Sequence, residues 1–104
     1  MADTVATIIT ELKNITSEIL NKDVTKVRGF SERQLEALAI QTTVIQKGIA
    51  NGDIDEELRE FFLHGLEAMA RNFVNTLKGI VMVTIEKLWN AVVSFLYKAV
   101  GVVV

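Results

Sequence analysis

Not one of the 104 residues is proline, and outside a single connector the large apolar residues return at intervals of three and four. Nothing therefore forces a helix to stop, and the spacing lays an apolar stripe along one side of each helical stretch. The chain is expected to be all-α. Half of its residues are hydrophobic and 23% are charged, which is too apolar for an intrinsically disordered segment. Cysteine is absent, which removes disulfide scaffolds, thiol nucleophiles and thiolate metal centres. A net charge of −2 provides no general attraction to a polyanion, so nucleic acid is not an expected partner.

Val5, Ile8, Leu12, Ile15 and Ile19 define a first helix, with Asp3 or Thr4 as its cap. Its β-branched content leaves much of its stability to packing. Residues 21–29 form a connector holding Lys22, Lys26 and Arg28. Ser31 and Gln34 then make a capping box, with Phe30 and Leu35 placed for a hydrophobic staple. The second helix follows Leu35, Leu38, Thr42, Ile45 and Ile49 and should stop at Asn51 and Gly52. Asp53 is the expected cap of the third, with Glu56 at the capping-box position. Its apolar face is Leu58, Phe61, Phe62, Leu66, Met69, Phe73 and Leu77. Helical spacing then continues to about Val100, with Gly79 as the one candidate break.

The two halves of that last stretch do not share a face. On one helical wheel the apolar side of 58–77 lies roughly 140° from that of 85–103. An unbroken helix of this length would measure ~69 Å against ~28 Å for each of the first two. The expected architecture is two short amphipathic helices packed on one long C-terminal helix, which either runs straight or bends near Gly79, in an oligomeric helical bundle. Residues 1–78 would form a three-helix amphipathic region. Residues 79–104, where 18 of 26 positions are apolar and only Glu86, Lys87 and Lys98 are charged, would form a contact helix. A strand alternative rests on the β-branched runs 80–85 and 101–104.

Motifs for chemistry are sparse. Glu60, His64 and Glu67 share one helical face, but the order His-x-x-Glu reverses the di-iron helix motif and occurs once, so an exposed histidine with local ion pairing is the expected role. Residues 51–57 are acidic yet lack EF-hand spacing, and a helix stop, turn and cap explain them. The basic connector lacks aromatic interleaving, and the glycines form no phosphate-cradling loop. No catalytic, cofactor-binding or metal residues are expected, and the chain is not expected to be an enzyme.

The C-terminal segment carries the functional expectation. Ile85, Leu88, Trp89, Val92, Phe95, Leu96 and Ala99 lie on an apolar arc about twice as wide as the polar stripe of Glu86, Lys87, Asn90, Ser94 and Lys98. These seven residues are the expected contact with another copy or another helical protein. The alternative is a membrane surface, with Trp89, Tyr97 and the lysines at the boundary; the third reading is an intramolecular hairpin. Met1-Ala2-Asp3 has no basic stretch, and Glu11 and Lys13 interrupt any apolar core, so no secretory leader is expected. Synthesis in the cytoplasm follows, with a virion or a membrane as later destinations.

The capped helical pair 31–51 and 53–78, followed by the apolar end 79–104, resembles the small cysteine-free helical proteins of tailed-phage and prophage genomes. That resemblance is one of size and style over the whole chain. It implies a minor virion component, a scaffolding or chaperone-like protein, or a holin, and assigns no residue a role. Against a holin, the end Val-Gly-Val-Val-Val carries no basic tail.

Overall fold

Local capping sets most helix ends. In the structure, a computed structural model that describes residues 4–101, the Thr4 hydroxyl accepts from the Thr7 amide at 3.1 Å and opens α1, Val5–Leu20. Asp3, the other expected cap, lies outside the described residues. Asn21 closes α1 in the left-handed conformation, its amide bonded to the carbonyls of Glu18 and Ser17. A short 3₁₀ turn, Val24–Lys26, follows. The Asp23 carboxylate accepts from both the hydroxyl and the amide of Thr25, and these bonds, the hydroxyl's first, hold it below the usual carboxylate range.

Ser31 caps α2, Glu32–Ala50, by accepting from the Gln34 amide at 3.2 Å. The reciprocal half of the expected box is replaced. The Gln34 side chain instead accepts from the Thr76 hydroxyl at 3.1 Å, tying the start of α2 to the end of the third helix. Phe30 meets Phe73 edge-on, with ring centroids 6.2 Å apart. The third helix, α3, spans Glu56–Thr76, and its cap is Asp55 rather than the expected Asp53. The shift has a packing cause. Ile54 is buried against Gly48, and its amide bonds to the Gly48 carbonyl at 3.0 Å. Ile54 thus belongs to the turn, and the helix starts after it.

The long C-terminal helix does not form. α3 stops at Thr76, and α4, Met82–Val100, runs back alongside it. Leu77 is buried, the Lys78 amide donates to the Arg28 carbonyl at 2.8 Å, and Gly79 takes a φ of +76°. The reversal lets both apolar faces, some 140° apart on a straight wheel, point into one core. Residues 82–85 of the strand alternative are helical, and no strand occurs among the described residues; 102–104 lie outside them. Gly101, at a φ of +90°, ends α4.

The four helices alternate in direction. Gln34 meets Thr76, Glu67 meets Tyr97, and Leu20 and Lys22 share a groove with Ile80 and Thr84. One end therefore gathers the 21–31 connector and the α3–α4 turn. The other gathers the α2–α3 turn and the end of α4. One buried cluster takes Leu12 from α1, Leu35 and Leu38 from α2, Leu66 and Phe73 from α3, and Leu88 and Leu96 from α4. Ile80 and the buried side of α4 from Ile85 to Val100 thus pack into the same core as the rest.

Candidate functional site

The expected contact arc on α4 is largely interior. Leu88, Val92, Leu96 and Ala99 are buried within the chain itself, and Ile85, Trp89 and Phe95 are half-buried at its margin. Four of the seven expected contact residues thus lie inside the chain, while Ile85, Trp89 and Phe95 keep part of their surface open. Once the chain reverses at Gly79, α1, α2 and α3 all contact α4 and cover the arc. Trp89 carries the Arg71 guanidinium 4.7 Å above its ring. It also borders a small groove of about 190 Å³ between α3 and α4.

The apolar surface left open lies elsewhere. Ile40 and Val44 sit roughly opposite the buried stripe of α2 on its helical wheel, and they are 51% and 50% exposed. On α3, Leu58, which shares a groove with Val44, and Phe61 are 45% and 72% exposed. Phe61 was expected in the core. It instead stands outward, edge-on to the half-buried Phe62 with centroids 5.7 Å apart. Next to it runs an open groove of about 490 Å³ lined by Val44, Gly48, Ile54, Leu58 and Phe62, with Lys47 and Asp53 at its edges. The projecting Phe61 ring is therefore linked to the apolar hollow through Phe62, which lines it.

Sequence periodicity carries part of this signal. Ile40 and Val44 depart from the stripe through Leu35, Leu38 and Ile45, and an apolar pair one turn apart on the wrong side of a helix marks surface that is not simply solvated. Phe61 falls at the edge of its arc, where spacing alone does not say how far burial reaches. A second exposed set, Val81, Met82 and Val83, lies at the start of α4; its helical spacing continues into α4 and hides it.

All three polar candidates lie on α3, and only Glu67 is engaged by another helix. The Tyr97 hydroxyl donates to the Glu67 carboxylate across α3 and α4, while His64 and Glu60 face solvent. Among the described residues, no three carboxylate or imidazole groups gather in a metal-binding arrangement. No described helix is long and apolar enough to cross a membrane. Burial, and then the bond to Glu67 and its charge, pushes the Tyr97 hydroxyl up to about 12 from 10.0. The native state thus keeps a proton that the unfolded chain releases, and the associated stability is present below pH 10 and lost as pH rises towards 12. Denaturation midpoints of the wild type should fall across that interval. Those of Tyr97→Phe should fall less, and identical pH profiles would remove the Tyr97–Glu67 bond from the account.

No family model, characterised protein or solved structure matches the chain.

Proposed function

We propose that the chain is a helical assembly protein rather than a catalyst, and that it works by pairing the α2–α3 face with the same face of a second copy. The observation that carries this is Phe61, the most exposed of the large hydrophobic side chains described, linked through Phe62 to an apolar groove. A two-fold axis between ring and groove would seat each Phe61 in the partner's hollow, the self-complementary arrangement an isologous dimer uses.

Area supports the same reading. Taking roughly 190 Å² for a large side chain, the exposed fractions of Ile40, Val44, Leu58 and Phe61 leave about 400 Å² of apolar surface. A standard interface removes about 800 Å² from each partner, a little over half of it non-polar. The patch thus matches the apolar share of a standard interface. Such a dimer would serve as a small structural component of a larger complex, the role implied for the phage-type proteins the chain resembles.

Light scattering across a concentration series tests this. The wild type should approach twice its monomer mass, and Phe61→Glu should remain monomeric with unchanged helicity. An aromatic anchor at the centre of an interface contributes about 2 kcal/mol or more, so the dissociation constant should rise at least ~30-fold. A wild type that stays monomeric, or a Phe61→Glu chain that dimerises equally well, would refute the proposal.

A further inference from the structure

The α3–α4 corner carries a different apolar feature. Val81, Met82 and Val83 are consecutive and each is 69–70% exposed. Three adjacent large apolar residues at this exposure form a projecting tip, since helical rotation and the turn before it point them in different directions around the start of α4. Val81, the cap residue, has no polar side chain, so α4 begins without a side-chain capping bond.

Charge is distributed unevenly along the bundle. The end bearing this tip also bears Lys22, Lys26, Arg28 and Lys78, all exposed. Lys22 lines the same groove as Val81, and the Lys78 amide is bonded to the Arg28 carbonyl. Two acids share this end: Asp23, whose carboxylate the Thr25 bonds keep ionised, and Glu32, which is paired with Lys13 at 2.8 Å. Glu86 lines a groove with Met82, and Glu18, in the last turn of α1, shares a groove with Lys87. At the opposite end the α2–α3 turn holds Asp53, Asp55, Glu56 and Glu57. Around the tip the basic side chains Lys22, Lys26, Arg28, Lys78 and Lys87 outnumber Glu18, Asp23 and Glu86, so a chain with net charge −2 keeps a cationic excess at this end.

We infer that the cationic end is a docking surface for an anionic lipid bilayer. Val81, Met82 and Val83 enter the boundary between headgroups and acyl chains, and the surrounding lysines and Arg28 meet the lipid phosphates. Shallow apolar insertion combined with a basic rim is the two-part signal that reversible membrane attachment requires. The amides at the start of α4 point the same way, where the helix dipole favours an anion. This surface lies at one end of the bundle, away from the groove beside Phe61, so the two contacts are independent.

Co-sedimentation of the full chain with vesicles tests the inference. The wild type should sediment with mixed phosphatidylcholine–phosphatidylglycerol vesicles and remain in solution with pure phosphatidylcholine. Lys22→Gln with Lys78→Gln should weaken binding about fivefold per lysine, and raised salt should do the same. Met82→Gln with Val83→Ser should weaken it at least tenfold with helicity retained, because these side chains are exposed in the free chain. Phe61→Glu should bind vesicles as the wild type does, which separates failure here from failure of self-association. No binding to the mixed vesicles, equal binding to the neutral ones, or binding indifferent to both pairs of substitutions would overturn the inference. So would a fall in mass of the Met82→Gln, Val83→Ser chain without vesicles, since the tip would then be a protein contact.

Discussion

Val92→Asp should unfold the chain, not merely dissociate it. Val92 is fully buried in the middle of α4, one turn from Leu88 and from Leu96, which share the same core. A carboxylate placed there has no cation among those core side chains. Burying it unpaired costs several kcal/mol, a large part of the ~5–15 kcal/mol that holds a small domain together. Ser94 is exposed on the same helix, and Ser94→Asp should leave stability within about 0.5 kcal/mol of the wild type. Circular dichroism and denaturant titration of the two variants separate the cases. A folded, helical Val92→Asp chain would return the apolar arc of α4 to the surface.

The second large effect is expected at Gly29. This residue holds a φ of +87°, and a Cβ there would lie 1.8 Å from the Thr76 carbonyl oxygen and 2.9 Å from its carbon. Both are backbone atoms, so no side-chain rotation relieves the clash. The connector and the end of α3 must part, which strains the Lys78–Arg28 backbone bond, the Thr76–Gln34 bond and the Phe30–Phe73 contact. Left-handed strain of roughly 1–2 kcal/mol and overpacking of roughly 1–3 kcal/mol give Gly29→Ala a loss of several kcal/mol. Gly79 is the matched control, because its φ of +76° is similar but a Cβ there meets nothing within 4 Å. Gly79→Ala should therefore lose only the conformational part. Equal thermal midpoints for the two variants would show that the close approach at Thr76 does not contribute.

The sequence was legible where a boundary is written into a few neighbouring residues. Thr4, Ser31, the Asn51–Gly52 stop and the end at Val100 each follow from a side chain or a glycine acting within one turn. It was less legible where distant parts decide. Asp53 and Asp55 are equally good caps as residues, and only the burial of Ile54 against Gly48 selects the second. The break between α3 and α4 left its trace as two apolar faces pointing apart, without saying whether a second chain or a reversal would reconcile them. The reversal did so, and α4 entered the core. This also moved the candidate contact from α4 to Ile40, Val44, Leu58 and Phe61, because surface is whatever the core leaves over.

The absence of native cysteine makes single-cysteine labelling the most direct measurement of that division between core and contact. Phe61→Cys and Val92→Cys, each reacted with a thiol reagent at rising protein concentration, report the two surfaces separately. The account requires Cys at position 92 to be protected at every concentration and to react only through unfolding. At position 61 it requires fast labelling in dilute solution and protection as the chain pairs. The opposite pattern, with position 92 reactive when dilute and shielded when concentrated while position 61 stays open throughout, would contradict it.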